Sequence, residues 1–473
     1  MLCRRLPRYN SPWVQVLLVS FVFFTTVGMF QAIGNLGAGG TQNIKLSDTT
    51  NSVLYVLNAF VGVVAGSINN VLGPRLTLFM GALGYVVYVS ALWVYQVKAV
   101  AWWLIVSGAI VGAGAGLIWA AQGAIMMSYP LEKDKGRSFS MFWAINNCGS
   151  LMGGLIALGI DISQGAVSST ATSTYIAFLA VMLCGLCLSW TLLPPGRVVR
   201  NDGSIVEIHN YVSVKEEIKG LWAAVKTPYI LILVPMFFSS NYFLSYQAAF
   251  AFALFDAQTR ALNAVIKSSA QILGAIVVGL LYDKVPMGRR NRGLVGIAVT
   301  SVFIIAAYAW GLSYQLKFTR STELVKMHWN SPGFGQPIAI LVLYDIGDAL
   351  YQGSAYWIMG ALTNDPFTLA RYAGLYKAVQ AAGSAISFGV DAAKTPYLNE
   401  HLSSWIMLLV CLPLAAYVIF HLEDTNYKPE EVVYVDSVNV GPEGVVMTKD
   451  EDSNKRNSLD VGISVVERAD VKV

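Results

Sequence analysis

Two aspartates, Asp345 and Asp348, lie in an apolar run from Leu341 to Leu362 that is long enough to cross a bilayer. A charged side chain at mid-bilayer costs about 2.5–3.5 kcal/mol on insertion scales, so it persists where it faces a wet cavity or a partner. The spacing of three places both carboxylates on one helix face, and Gln352 continues that face. This pattern suits ion coupling in a cavity.

Lys377 is the natural counter-charge, because it is interpreted as the only basic residue deep in an apolar run. It shares a helical stripe with Gln380 and Ser384. One lysine beside two carboxylates leaves one negative charge in excess, which would bind a cation or exchange a proton. Two alternatives stay open: a structural ion pair that joins neighbouring helices, and a role related to trafficking.

Other polar residues are scattered among aromatic residues in the remaining apolar runs. Together they suit a ligand of mixed polar and apolar character, although each one alone is better explained by helix packing. These candidates for a substrate cavity are Gln31, Asn35, Gln122, Trp143, Asn146, Asn147, Asn241 and Ser245.

Several classes of function lack their residues. The four histidines lie in loops or at the ends of apolar runs, so we expect no metal site. No phosphate-binding G-x-x-x-x-G-K-[ST] motif is present, which argues against ATP as the driving force. No nucleophile–base constellation indicates an enzyme, and we expect no cofactor and no nucleic-acid partner.

The elements that position these residues are predicted to be membrane helices. Of the 473 residues, 55% are hydrophobic and 13% are charged, against about 25% charged in soluble domains. The predicted fold class is therefore an all-α integral membrane protein with twelve spans. The spans lie near residues 13–37, 51–71, 76–96, 101–127, 139–160, 174–193, 229–253, 265–282, 293–313, 336–361, 370–390 and 403–421.

The spans divide into two halves. An N-terminal tail (1–12) precedes the first half (13–193), and a polar segment (194–227) precedes the second half (228–422). The charge-rich tail (423–473) is predicted to be disordered. Lys and Arg favour the side that carries both tails, by seventeen to eight, which predicts cytosolic termini. Neither the plasma membrane nor an internal membrane is indicated over the other.

The two halves repeat each other. FFTT at Phe23–Thr26 recurs as FFSS at Phe237–Ser240, and AINNCGS at Ala144–Ser150 recurs as AVQAAGS at Ala378–Ser384. The loop GSINNVLGPR, which starts at Gly66, corresponds to GLLYDKVPMGRR, which starts at Gly279. Two parallel six-helix repeats are the architecture of major facilitator transporters.

The two repeated loops resemble the G-x-x-x-D-[RK] loop of major facilitators, whose carboxylate latches a cytosolic gate. Asn70 stands where the first half would carry the acid. The resemblance implies gate residues Arg75, Asp283, Arg289 and Arg290. An ordinary positively charged inner loop is the alternative.

Two stretches resemble the uncoordinated-93-like family of the major facilitator superfamily, most closely its fungal members. They are GLIWAAQGAIMMSYPLEKDKGRSFSMFWAINNCGSLMGG, from Gly116, and LYDIGDALYQGSAYWIMGALTNDPFTLARYAGLYKAVQAAGSA, from Leu343. The resemblance covers about residues 13–422. It implies twelve helices around a central cavity.

The function that the resemblance implies is less specific. Fungal members are mostly inferred transporters, plant members are linked to potassium balance, and some animal members regulate or escort other membrane proteins. We therefore expect a secondary transporter with alternating access, coupled to protons or cations. Its partners would be the lipid bilayer and a small molecule or ion. The alternative is a non-transporting scaffold that regulates or escorts another membrane protein.

Overall fold

The computed structural model describes residues 8–35, 44–164, 172–200, 202–206, 213–426, 438–440 and 446–448. Helices make up almost all of this part of the chain. In the first half they are α1 (Pro12–Thr25), α2 (Val27–Asn35), α3 (Ile44–Lys98), α4 (Ala101–Ser128), α5 (Lys135–Gln164) and α6 (Thr172–Ser189). In the second half they are α8 (Pro228–Ser239), α9 (Leu244–Leu254), α10 (Ala257–Asp283), α11 (Arg289–Gln315), α12 (Gly335–Leu362), α13 (Pro366–Ala392) and α14 (Tyr397–Phe420). A short helix, α7 (Val214–Lys226), lies between the halves.

The 55 residues of α3 cross the bundle twice. Gly73 interrupts the helix with a φ of 79°, a conformation that favours glycine, and Pro74 follows it. The contacts of α4 show the reversal: Gly108 and Gly112 lie against Thr50 and Leu54, in parallel order. The part of α3 after Gly73 meets α4 in the opposite order, because Gly81 lies beside Ile118 and Gly84 beside Ile110.

The repeated FFTT and FFSS motifs mark two helix breaks. The first span divides into α1 and α2 at Thr26, and the seventh divides into α8 and α9 after Ser239. Thr26 and Ser240 both bond their hydroxyls to backbone carbonyls of the preceding turn, at Val22 (2.6 Å) and Phe237 (2.8 Å). Such bonds compete with the helical ladder and bend helices.

The repeated motifs thus mark the same structural feature, a helix break, in both halves. In the described part of the chain the helices cross the bundle twelve times. Eight segments are long and apolar enough to cross a membrane by length and composition, and one of these covers both crossings of α3. The remaining crossings are α5, α12 and α13, which carry the polar residues discussed below.

The two halves meet mainly along α5 with α10 and along α3 and α4 with α13. The halves approach each other closely at the end of the bundle where residues 194–227 connect them, which we call the linker face. A Cβ atom added at Gly66 of α3 would lie 2.3 Å from the carbonyl oxygen of Ala370. One added at Gly374 would lie 2.7 Å from the carbonyl oxygen of Gly62. Glycine is therefore required for this contact, and the linker face is closed.

Part of the C-terminal tail is described. Residues 423–426 lie against the linker face, where Asn426 bonds Glu132 and Ala361. Two short strands, β1 (Val438–Val440) and β2 (Val446–Thr448), pair antiparallel. The prediction of disorder stays a prediction for the rest of the tail, which lies outside the described residues.

Candidate functional site

Asp348 lies at the contact between the two halves and accepts two hydrogen bonds. Gln352, one turn later in α12, donates to one carboxylate oxygen at 2.8 Å. Gln271 of α10 donates to the other at 2.8 Å. The Gln271 side chain in turn accepts a 2.8 Å bond from the indole N–H of Trp143, which belongs to α5 in the first half. Two hydrogen bonds thus join a carboxylate of one half to a side chain of the other.

Asp345 forms an ion pair with Lys267 of α10, with 3.7 Å between the ammonium nitrogen and the carboxylate oxygen. The Asp345 side chain is 6% exposed, whereas that of Lys267 is 35% exposed. This pairing corrects the expectation that Lys377 is the only basic residue deep in a span and the counter-charge of both aspartates. The predicted span 265–282 places Lys267 at its very start, whereas α10 begins at Ala257, so that Lys267 lies well within the helix.

Lys377 lies in a cage of aromatic rings instead. Its ammonium nitrogen is 4.1 Å from the ring centroid of Trp119, 5.0 Å from that of Tyr376 and 5.5 Å from that of Tyr356. Its ammonium donates a 2.7 Å hydrogen bond to the Gln380 amide oxygen. Cation–π contacts of a desolvated ammonium contribute about 2 kcal/mol or more, so the cage compensates part of the cost of burial.

A chain of amides connects the Lys377 cage to Asp348. The Gln380 amide nitrogen donates to Gln352 at 3.1 Å and to Ser240 at 2.8 Å. Gln352 then donates to Asp348 and, at 3.5 Å, to Asn241. The predicted residues Asp348, Gln352, Lys377, Gln380 and Asn241 therefore belong to one network.

The charges at this site balance. Asp345 and Asp348 contribute two negative charges, and Lys267 and Lys377 contribute two positive charges. The expected excess of one negative charge is therefore absent from this cluster. A cation that enters this site must therefore displace a lysine ammonium from its carboxylate.

Aromatic side chains surround a small pocket beside Asp348. Tyr308, Tyr344, Tyr351 and Phe243 line it, together with Gln247. All of these residues belong to the second half, so Asp348 faces the inter-half contact on one side and an aromatic pocket on the other.

The other cavity candidates are dispersed. Gln122 and Tyr356 approach each other across the halves at 3.5 Å, and Ser245 bonds Ser387 within the second half. Asn147 bonds the carbonyl of Trp143 in its own helix, and the buried Asn146 amide oxygen has no hydrogen-bond partner in the described chain. Gln31 is half-buried in α2, and the side chain of Asn35 lies outside the described part.

Asp283 connects the halves at the linker face through backbone groups. Its carboxylate accepts the backbone N–H groups of Gly136 (2.9 Å) and Arg137 (2.5 Å), in the first turn of α5. Both N–H groups lie at the positive end of the α5 dipole. The predicted latch residue thus bonds a helix N-terminus.

Arg289 also crosses between the halves and pairs with Glu132 at 3.3 Å. Burial raises the pKa of Glu132, but the charge of Arg289 and hydrogen bonds from Asn426, Asn364 and Thr425 outweigh burial. The pKa of Glu132 therefore lies below its ordinary value. Glu132 is a carboxylate that holds α11, the loop before α13 and the start of the C-terminal tail together.

The other two predicted gate residues make contacts inside their own halves. Arg75 donates to the Leu192 carbonyl at 3.0 and 2.7 Å, and Arg290 stacks over the Phe420 ring. Lys135 does cross the interface: its ammonium donates to the Gly360 carbonyl at 2.5 Å and to Asn364 at 3.0 Å, at the C-terminal end of α12.

Comparisons with known proteins agree with this architecture. The family profile described as "Ion channel regulatory protein UNC-93" matches residues 48–421. The chain belongs to the UNC-93 family. It is 37% identical over 418 residues to UNC93-like protein C922.05c of Schizosaccharomyces pombe, covering 87% of this chain and 83% of that one. It is 36% identical to UNC93-like protein 1 of Arabidopsis thaliana, covering 89% and 92% of the two chains.

Solved structures show the major facilitator fold for this UNC-93 family chain. The Escherichia coli fucose:proton symporter aligns with a TM-score of 0.62 at 12% identity, over 86% of this chain and 99% of that one. A bacterial homologue of the iron transporter ferroportin, in an outward-facing state, aligns with a TM-score of 0.60 at 9% identity, over 87% and 98%. The chain is an integral multi-pass membrane protein.

Sequence reasoning missed Lys267, Gln271 and Lys135. Lys267 and Gln271 lie four residues apart, which is the spacing of one helix face. That signal is present, but a span that starts at residue 265 leaves Lys267 at its edge. Lys135 directly precedes Gly136 and Arg137, and nothing in its sequence neighbourhood indicates that it reaches α12.

Proposed function

We propose that this protein is a secondary transporter that works by alternating access and is coupled to a cation or a proton at Asp345 and Asp348. The observation that carries the proposal is the bridge from Asp348 through Gln271 to Trp143. Separating the halves at this level breaks it. An ion or proton at Asp348 changes the same hydrogen bonds, so ion binding and the relation of the halves are coupled.

Lys267 is the proposed entry point for the coupling ion. Its ion pair with Asp345 is long for a direct hydrogen bond, and its side chain is about one-third exposed. The ammonium can therefore leave toward solvent at small cost when a cation replaces it. Lys377, enclosed by three rings, stays as the fixed charge of the site.

The closed linker face defines the conformational state in this proposal. If that face is cytosolic, as the distribution of Lys and Arg predicts, the described state is closed toward the cytosol. The second state of the cycle then separates α3 from α13 and α5 from α10 at the linker face. The contacts of Asp283, Arg289 and Lys135 break in that step.

Ion flux in proteoliposomes tests the proposal without knowledge of an organic substrate. Rubidium serves as a potassium tracer, and lumenal pyranine fluorescence reports protons. We expect flux above that of empty liposomes, and a loss of at least about tenfold in Asp348→Asn and Lys377→Met. Asp365→Asn is the matched control, because asparagine caps a helix as well as aspartate does. Flux equal to that of empty liposomes for both probes would refute ion coupling.

A second candidate function rests on the family description, which names ion channel regulation. In that case the chain is a scaffold that binds another membrane protein and transports nothing. Crosslinking of the full chain in its native membrane, followed by affinity purification, tests it. A stoichiometric membrane protein partner would support the scaffold, and its absence would count against it.

A further inference from the structure

The latch that Asp283 forms in the second half has a modified counterpart in the first half. Asn70 precedes Asp283 by 213 positions, and Arg137, which Asp283 contacts, precedes Arg371 by 234 positions. The repeat thus pairs Asn70 with Arg371, as it pairs Asp283 with Arg137. Asp283 reaches Arg137 through the backbone N–H of that arginine. The neutral asparagine at position 70 leaves the first-half site without the carboxylate that Asp283 supplies in the second half.

Helix α7 brings a carboxylate to this place. Glu217 accepts hydrogen bonds from Arg371 at 2.6 and 3.1 Å, which is a bidentate contact. The same carboxylate accepts from the Asn70 amide at 3.1 and 3.3 Å, and Asn70 also bonds the Phe367 carbonyl of α13. The side chains of Glu217 and Arg371 are 3% and 11% exposed. Glu217 therefore joins both partners of the repeated latch.

The rest of α7 is shaped around the same arginine. Ser213 and Glu216 form a capping box that fixes where α7 begins. Gly220, three residues after Glu217, lies on the same face. A Cβ atom there would be 2.4 Å from the guanidinium carbon of Arg371. Glycine therefore leaves room for the guanidinium in its observed position.

We propose that Glu217 replaces the acid missing from the first-half latch, so that α7 is a working part of the linker-face gate. Glu217 is a positioning residue: it holds Arg371 of α13 beside Asn70 of α3 while the linker face is closed. The consequence for transport rests on the proposed function, whereas the latch itself does not. When the face opens, Arg371 and Asn70 separate and Glu217 can keep only one of them.

The latch is tested by moving the carboxylate back to its position in the repeat. Spin labels at Leu72→Cys and Lys284→Cys, both exposed on the linker face of opposite halves, are placed in a background without the native cysteines. Double electron–electron resonance then gives the populations of closed and open linker faces. We call this measurement the linker-face distance.

Glu217→Gln leaves Arg371 without a counter-charge, and we expect the open population to rise at least about tenfold. Asn70→Asp alone places two carboxylates together and should open the face as well. The double variant Glu217→Gln with Asn70→Asp should return to within about twofold of the parent, since it has one acid and one arginine again. Glu216→Gln is the control, because glutamine also serves in a capping box.

The proposal would be overturned if the double variant raised the open population by as much as its two single changes together, or by more. It would also be overturned if Glu217→Gln and Glu216→Gln raised the open population equally. If Glu217→Gln alone does not fold, the double variant Glu217→Gln with Arg371→Gln removes both charges. Its open population must then be smaller than that of Arg371→Gln alone. The readout needs no substrate. If the double variant restores the closed face but the parent shows no ion flux, the latch stands and transport is refuted. If the parent shows ion flux but the double variant does not restore the closed face, only the latch is refuted.

Discussion

The tightest contact between the halves predicts the effect of a single methyl group. In Gly66→Ala, the new Cβ would lie 2.3 Å from the Ala370 oxygen and 2.6 Å from the Arg371 Cα. Both are backbone atoms of α13, so no side chain can rotate away. Helices α3 and α13 must separate by about 1 Å to reach normal contact distance.

The cost applies to the closed state alone, because the two helices part when the linker face opens. Overpacking of this kind costs about 1–3 kcal/mol. A free-energy difference of this size shifts a two-state equilibrium by about 5-fold to 150-fold. The open population of Gly66→Ala should rise by a factor in this range.

The linker-face distance measures this population, and Gly154→Ala is the matched control. Gly154 also lies between the halves, but its added Cβ would meet Val265 at 3.6 Å, an ordinary contact. We expect Gly154→Ala to match the parent. Equal distance distributions for Gly66→Ala and Gly154→Ala would refute the reasoning that the closed face depends on the absence of a side chain at Gly66.

Three further outcomes are expected. Lys135→Met removes the charged donor at the end of α12, which costs the closed state about 1.5–3 kcal/mol; an unchanged linker-face distance would contradict this. The depressed pKa of Glu132 stabilises the closed face above the ordinary carboxyl pKa, and this stability is lost as pH falls through the folded-state pKa. Acid should therefore raise the open population more in the parent than in Glu132→Gln. Trp119→Leu removes the closest ring of the Lys377 cage and should lower the free energy of unfolding by about 2 kcal/mol. Trp190 is exposed, and Trp190→Leu should lower the free energy of unfolding less.

Apolar periodicity and the repeat were sufficient to predict the fold. Twelve runs of membrane length, with FFTT and FFSS at equivalent positions, predicted two six-helix halves, and the comparisons confirm the family and the fold. Aligned on the same repeat, Asp345, Asp348 and Lys377 stand opposite Ala115, Ile118 and Trp143, so these charges are particular to the second half. These predictions depend on local properties of the chain, which the sequence states directly.

The partners of those charges could not be predicted in the same way. The counter-charge of Asp345 depends on where α10 begins. A span that starts at residue 265 places Lys267 at its end, whereas the helix that begins at Ala257 places Lys267 in its interior. The aromatic cage of Lys377 combines Trp119 of the first half with two tyrosines of the second, which no spacing reveals. Glu217 lies in the polar segment between the halves, where apolar periodicity carries no information about contacts.

The most direct test of the central claim follows the linker-face distance while the coupling ion is varied. Proteoliposomes of the parent and of Asp348→Asn are compared in acidic and alkaline buffer, and with sodium or potassium as the cation. Ion-coupled alternating access predicts two distance populations whose ratio changes with proton or cation in the parent. In a Glu132→Gln background, which removes the contribution of Glu132 to the pH dependence, the ratio should stay constant in Asp348→Asn. A single distance population, the same under all conditions, would contradict the account.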